Sequence, residues 1–318
     1  MDTMMALRAH ARGGPEELVY EQAPRPVAGP GEVLVAVHAA GITFDELAWD
    51  QSWTTRDGAD RTPVIPAHEV SGLVVATGPG VTDPAPGDDV YALIDFDRDG
   101  AAAEYVTVPA SALARRPRSV SHVQAATLPL AALTAWQALV DHARLAPGER
   151  VLVQGGAGGV GVYAVQLAAV LGGQVTATGR SQSEAFVRDL GATDFVSSGA
   201  PGGRGGPAGQ GAAEGQDVVI DTVGGQVLAD SFALLRRGGR LITLGAPPDP
   251  ELAARYGVDA TFFVVEPDRS ELGRLAELVD EGRLRPVVSQ TFPLADGRRA
   301  YASRAPGGPP GKTVLIVR

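Results

Sequence analysis

No cysteine occurs in the 318 residues. That excludes disulfides, thiolate nucleophiles and every thiolate-ligated metal centre. Lysine is almost missing too: Lys312 is the only one, and the other 26 basic residues are arginines. A Schiff-base lysine therefore has one possible position. Positive charge is scarce overall, with 27 Lys+Arg against 37 Asp+Glu and a net charge of −10. Binding a phosphate backbone needs clustered cations, so no nucleic-acid partner is expected. No apolar run approaches the roughly 18 residues that span a bilayer. Met1 to Glu21 has neither the basic start nor the long apolar stretch of a signal peptide. The expected location is the cytoplasm, with no membrane partner.

What is present suits about two globular domains. The first third reads as short strands. Gly31 to His38 alternates, with Val33, Val35 and Val37 on one face. Similar runs follow at Gly72–Ala76, Asp89–Ile94 and Ala103–Val108, separated by Gly, Pro and Asp. This pattern suggests a small barrel-like unit. Val123 to Ala143, rich in Ala and Leu, predicts a helix stopped by Pro147-Gly148. Strands and helices then alternate: Val151–Gln154, Val160–Leu171, Gln174–Thr178, Ser183–Leu190, Asp217–Val223, Val227–Leu235 and Arg240–Leu244. Such alternation predicts a parallel sheet covered on both faces. Gly199 to Gln216 is low-complexity and reads as a flexible surface loop. Ser270 to Gly282 predicts an amphipathic helix, and Thr313–Val317 a final strand returning to the first unit.

One motif carries chemistry. Residues 151–161 read VLVQGGAGGVG, a buried strand running into Gly156-Ala157-Gly158-Gly159-Val160-Gly161 and then a buried helix. This is G-x-G-x-x-G in the context that a dinucleotide needs. The first glycine permits a tight turn, the second lets the backbone approach a pyrophosphate, and the third allows close helix–strand packing. The next strand ends in Thr178-Gly179-Arg180-Ser181. No acid stands there to bind a ribose 2′-hydroxyl. Arg180 can pair with a 2′-phosphate while Ser181 and Ser183 donate hydrogen bonds. The expected cofactor is NADPH.

The chain resembles the zinc-independent branch of the medium-chain dehydrogenase/reductase superfamily, of the NADPH:quinone oxidoreductase (zeta-crystallin-like) type. The matching stretches are GEVLVAVHAAGIT (Gly31–Thr43), PVIPAHEVSGLVVATGPGV (Pro63–Val81), AAEYVTVP (Ala102–Pro109), LPLAALTAWQAL (Leu128–Leu139), PGERVLVQGGAGGVG (Pro147–Gly161), DVVIDTVGG (Asp217–Gly225) and GKTVLIV (Gly311–Val317). The resemblance implies an α/β fold, a GroES-like β-rich catalytic domain (1–120 plus 266–318) with an inserted Rossmann doubly wound domain (121–265). It implies that Thr134 lies near the nicotinamide end, that Thr222-Val223 and Gly245-Ala246 line the cofactor cleft, and that Phe263-Val264 pass beside the nicotinamide. It places Lys312 near the active-site mouth. It also implies a homodimer, for which the apolar segment Val258–Val265 offers a sheet edge. Zinc-dependent relatives use a Cys, a His-Glu pair and a second Cys or Asp. Here those positions are Thr43, His68-Glu69 and Leu130, short of the three protein ligands that a catalytic zinc needs. No metal is expected, and His68-Glu69 reads as a retained structural pair, with a His68 general acid as the alternative.

Without metal or thiolate, a cofactor must carry the chemistry. The expected reaction is hydride transfer to a quinone or an α,β-unsaturated carbonyl. An enoyl reductase acting on a thioester shares every feature, and a non-turning-over NADPH sensor is the reading of another class. Candidates for the proton are Thr43, Asp45, Asp50 and Tyr91. The plainer reading of Asp45, Glu46 and Asp50 is a solvated loop face. Phe44, Trp49 and Trp53 could wall a pocket or be core.

Overall fold

A computed structural model describes residues 2–198, 215–304 and 307–318. The low-complexity segment Gly199 to Gln216, for which a flexible loop is expected, lies almost wholly outside them.

The strands, in chain order, are β1 (Thr3–Ala9), β2 (Leu18–Pro24), β3 (Glu32–Gly41), β4 (Glu69–Thr77), β5 (Asp89–Leu93), β6 (Tyr105–Pro109), β7 (Leu113–Arg115), β8 (Arg150–Gln154), β9 (Gln174–Gly179), β10 (Asp194–Ser197), β11 (Gln216–Asp221), β12 (Leu235–Thr243), β13 (Asp259–Phe262), β14 (Val288–Pro293) and β15 (Lys312–Ile316). β1 and β2 form a separate hairpin, and the first main sheet runs β14-β15-β3-β4-β5-β7, with β6 also on β3. The alternating valines of β3 explain its central place. Val33, Val35 and Val37 are fully buried in a core shared with Leu7, Val70, Val106 and Leu315. β15 pairs antiparallel with β3, Val314 opposite Gly41, so the last strand does return to the first unit.

The second sheet is all parallel, in the order β10-β9-β8-β11-β12-β13. Numbered within this unit, that order is 3-2-1-4-5-6, the doubly wound arrangement, and its switch point lies between β8 and β11. The helix Gly161–Val170 is buried almost all round, as its unbroken apolar run requires. The helix Arg269–Asp280 turns Leu272, Leu275, Leu278 and Val279 into the core that also holds Val151 and Val153.

The single helix expected over Val123–Ala143 is not formed. Instead there is a short turn, His122–Ala125, then the helix Ala131–Gln137, then a wide π turn, Ala138–His142. Pro129 explains the break, since it has no N–H to donate and its ring crowds the preceding turn. The break frees the first amides of the second helix, and the candidate site uses them.

Candidate active site

β8 ends at Gln154, and the chain turns at Gly155, whose φ is +74°. The tight turn expected at Gly156 thus has its left-handed residue one position earlier. Gly156 serves packing instead: a Cβ there would meet Ala177 Cβ at 2.9 Å. Gly161 does what its place in the motif predicts. A Cβ on it would lie 2.1 Å from the carbonyl oxygen of Gly155. Gly158 donates its own amide to that carbonyl at 2.9 Å. The amides of Ala157, Gly159 and Val160 have no partner among the described residues. They crown the N-terminus of the helix that follows, at the switch point of the sheet. Unpaired donors and a helix dipole make an anion cradle there, and it fits a pyrophosphate.

Of the other cofactor candidates, Thr222 and Val223 adjoin this loop, where a Cβ on Gly155 would lie 2.7 Å and 2.9 Å from them. Thr222 donates its hydroxyl to the Gln154 carbonyl at 2.7 Å, and Val223 beside it is 54% exposed. Buried Asp221 shapes that turn by accepting the amides of Val223 and Gly224, both at 3.1 Å. Gly245 approaches Gly224 across the sheet, and Ala246 accepts from Thr243 at 3.3 Å. Thr134 is buried and bonds back to the Leu130 carbonyl at 2.6 Å. Phe263 packs on His142, with ring centres 4.2 Å apart, which leaves Val264 as the exposed member of that pair. Arg180, just past Gly179 at the end of β9, is half-buried and meets no carboxylate among the described residues. Ser181 next to it is exposed.

Lys312 joins the two units. It opens β15, and its stem lies against the glycine loop, since a Cβ on Gly159 would sit 3.1 Å from Lys312 Cδ. Its Nζ donates to Thr43 Oγ1 at 2.9 Å and meets Glu69 Oε2 at 2.5 Å. That ammonium is the only partner of Oε2 among the described residues. The other Glu69 oxygen accepts the amides of Leu130 at 2.9 Å and Ala131 at 3.4 Å, the amides that Pro129 frees. Glu69 is 1% exposed and Lys312 is 6% exposed. Of the tentative catalytic residues, the fold thus brings Thr43 to Lys312. Glu69 joins them through Lys312.

Behind this trio stands Glu46, and here the expectation of a solvated loop face fails. Glu46 is buried, accepting the amides of Thr43 (3.1 Å) and Ala67 (3.0 Å) and the hydroxyl of Tyr301 (2.5 Å). Burial outweighs these donors and pushes its carboxyl up to about 7. The only local hint was its position between the apolar Ile42 and Leu47. His68 Nε2 lies 3.9 Å from Glu46, and its Nδ1 has no partner among the described residues. Burial, then the charge of Arg61, drives the imidazole down to about 3. It is neutral at physiological pH and cannot serve as a general acid there.

The remaining candidates stand apart. Asp45 is exposed and pairs with Arg304, and Asp50 is exposed and pairs with Arg12. Tyr91 is fully buried and donates to the Leu272 carbonyl at 2.5 Å, and burial raises its phenol far above the usual range. It ties β5 to the helix Arg269–Asp280 and offers no proton to a cleft. Trp53 is core, its indole bound to the Leu47 carbonyl at 2.8 Å. Phe44 is half-buried. Trp49 is also half-buried and stands edge-on to Phe96, which in turn stands edge-on to His68, each pair 5.2 Å between ring centres.

The donor set does not fit a catalytic zinc. It offers one imidazole, a carboxylate already holding an ammonium, a hydroxyl and Leu130. No group of three metal-ligating side chains assembles among the described residues.

Residues 29–118 match the family model described as "Alcohol dehydrogenase GroES-like domain" and residues 184–315 the one described as "Zinc-binding dehydrogenase". A probable zinc-binding oxidoreductase, mitochondrial, of Arthroderma benhamiae is 34% identical over 92% of this chain and 91% of its own. The NAD(P)H oxidoreductase RTN4IP1, mitochondrial, of Danio rerio is 31% identical over 91% of this chain and 84% of its own. The quinone oxidoreductase structure from Coxiella burnetii superposes with a TM-score of 0.89 at 28% identity, covering all of both chains. Two of these relatives are named mitochondrial, and among the described residues no helix is long and apolar enough to cross a membrane. With a GroES-like unit, a doubly wound unit in the 3-2-1-4-5-6 order and whole-length relatives of this kind, the chain belongs to the medium-chain dehydrogenase/reductase superfamily of oxidoreductases.

Proposed function

We propose that this chain is a zinc-independent, NADPH-dependent oxidoreductase that delivers hydride to a quinone or an α,β-unsaturated carbonyl. The observation that carries the reading is the row of unpartnered amides at Ala157, Gly159 and Val160, opening beside Lys312 and Thr43. Dinucleotide cradle and polar cluster adjoin, as a hydride-transfer site needs. Bound there, a dihydronicotinamide supplies the hydride. Glycine-loop amides hold the pyrophosphate, and Thr222, Val223, Gly245 and Ala246 line the way. Thr134, Phe263 and Val264 flank the nicotinamide end. Gly179, Arg180 and Ser181 receive the 2′-phosphate. A quinone oxidoreductase and an NAD(P)H oxidoreductase among the relatives support the acceptor class and the cofactor.

Cofactor choice tests the adenosine end. Losing one charge-assisted pair costs about 1.5–3 kcal/mol, or roughly 10- to 100-fold. Wild type should prefer NADPH to NADH in kcat/KM, and Arg180→Ala should erase at least tenfold of that preference. Equal use of both by wild type contradicts it.

We also infer a homodimer. β13 is the outer strand of its sheet, with Phe262 36% exposed in it and Val264 47% exposed just beyond its end, an edge that pairing would cover. Light scattering should give about twice 32.7 kDa, and a monomer mass contradicts the pairing.

A further inference from the structure

We propose that the Lys312 ammonium holds the carbonyl oxygen of the acceptor and stabilises the negative charge that develops on it. This rests on the hydride-transfer reading above and names the group that completes it.

The argument is a count of donors. An ammonium has three N–H groups and no acceptor. Thr43 Oγ1 takes one at 2.9 Å, and Glu69 Oε2 lies against the ammonium at 2.5 Å as an ion pair, outside hydrogen-bond geometry. At least one N–H therefore has no hydrogen-bond partner among the described residues. The Thr43 bond and the Glu69 ion pair hold the ammonium in place. Glu69 is clamped by the Leu130 and Ala131 amides, and the Lys312 stem is backed by Gly159. A buried, oriented donor with one free N–H beside the dinucleotide cradle is what a developing oxyanion requires, because it needs no reorganisation when the charge appears. Other groups are excluded by their surroundings. His68 is neutral, Tyr91 is committed to Leu272, and Asp45 faces Arg304 outside.

The step balances as follows. The hydride pair forms a C–H bond at the β-carbon of the acceptor. The C=C π pair shifts toward the carbonyl, whose oxygen takes the negative charge against the Lys312 N–H. Water then gives a proton to the α-carbon. The acceptor gains one hydride and one proton, and Lys312 stays protonated throughout.

Lys312→Met alone strands a buried carboxylate, so the test uses Lys312→Met with Glu69→Gln, which removes both charges together. One oxyanion donor is worth about 10²–10³ in rate. The double variant should lose about 10²-fold in kcat/KM while its NADPH Kd stays within about threefold of wild type. A second readout needs no turnover. p-Nitrophenol is an oxyanion mimic whose ionisation is visible, and wild type with NADP+ should lower the pKa of the bound phenol by about one unit or more, which the double variant should not. An unchanged kcat/KM in the folded double variant overturns the proposal. So does wild type that leaves the phenol unbound or unshifted. Failure of the underlying reading looks different: wild type oxidises NADPH with no acceptor at all, whatever the phenol shows.

Discussion

Glu69→Ala should destabilise the folded chain by about 3–5 kcal/mol, the usual cost of removing one partner of a buried ion pair. Three losses coincide. The Lys312 side chain, 6% exposed, loses the carboxylate 2.5 Å away. The Leu130 and Ala131 amides lose their acceptor at the start of a buried helix. The carboxylate also leaves a void between β4 and that helix. Urea unfolding measures the change. The double variant Glu69→Gln, Lys312→Met leaves no unpaired charge, so it should recover at least half of the loss. A Glu69→Ala protein within about 1 kcal/mol of wild type means that the pair is not buried as described.

Glu46 yields the second large effect, in the dependence of stability on pH. Its carboxyl rises from the ordinary 4.5 to about 7 in the fold. Between those values the folded state binds more protons than the unfolded, so stability falls as pH rises through that window. At 1.36 kcal/mol per unit the loss is about 3 kcal/mol. His68 acts in the opposite sense. Its imidazole drops from 6.5 to about 3, so between those values the unfolded state binds more protons and stability rises with pH. The two slopes oppose each other between pH 4.5 and 6.5. Glu46→Gln imitates the neutral acid and removes only the first slope. The stability of wild type relative to Glu46→Gln should therefore drop by about 3 kcal/mol from pH 4 to pH 8, and every group the two proteins share cancels in that difference. A difference that stays constant across the range contradicts a buried, raised Glu46.

The glycine loop and the alternating units after it were legible in the sequence, because period and punctuation there are local properties. The offset of one residue, with Gly155 rather than Gly156 taking the left-handed turn, was not. Two adjacent glycines are equivalent until the strand ends at a particular residue. The interruption at Pro129 was visible in principle but was hidden by a strongly helical composition on either side. Least legible was the cluster itself. Thr43, Glu69 and Lys312 come from the loop just after β3, the start of β4 and the start of β15. No spacing rule joins residues so far apart in the chain. The pairing of β15 with β3, and of β3 with β4, brings them together. Glu46 was misread for a related reason. A glutamate in a loop is ordinarily solvated, and only the fold shows that Tyr301 and two backbone amides close over it.

The central claim is that a hydride passes from NADPH bound at the glycine loop to an electron-poor acceptor. It is tested most directly with NADPH deuterated at C4, an enone or enoyl thioester, and mass spectrometry of the product. Saturable oxidation of NADPH with deuterium at the β-carbon is the expected result. NADPH that binds tightly, yet transfers no deuterium to any enone or enoyl thioester and reduces no quinone, would contradict the claim and leave a nucleotide-binding protein without turnover.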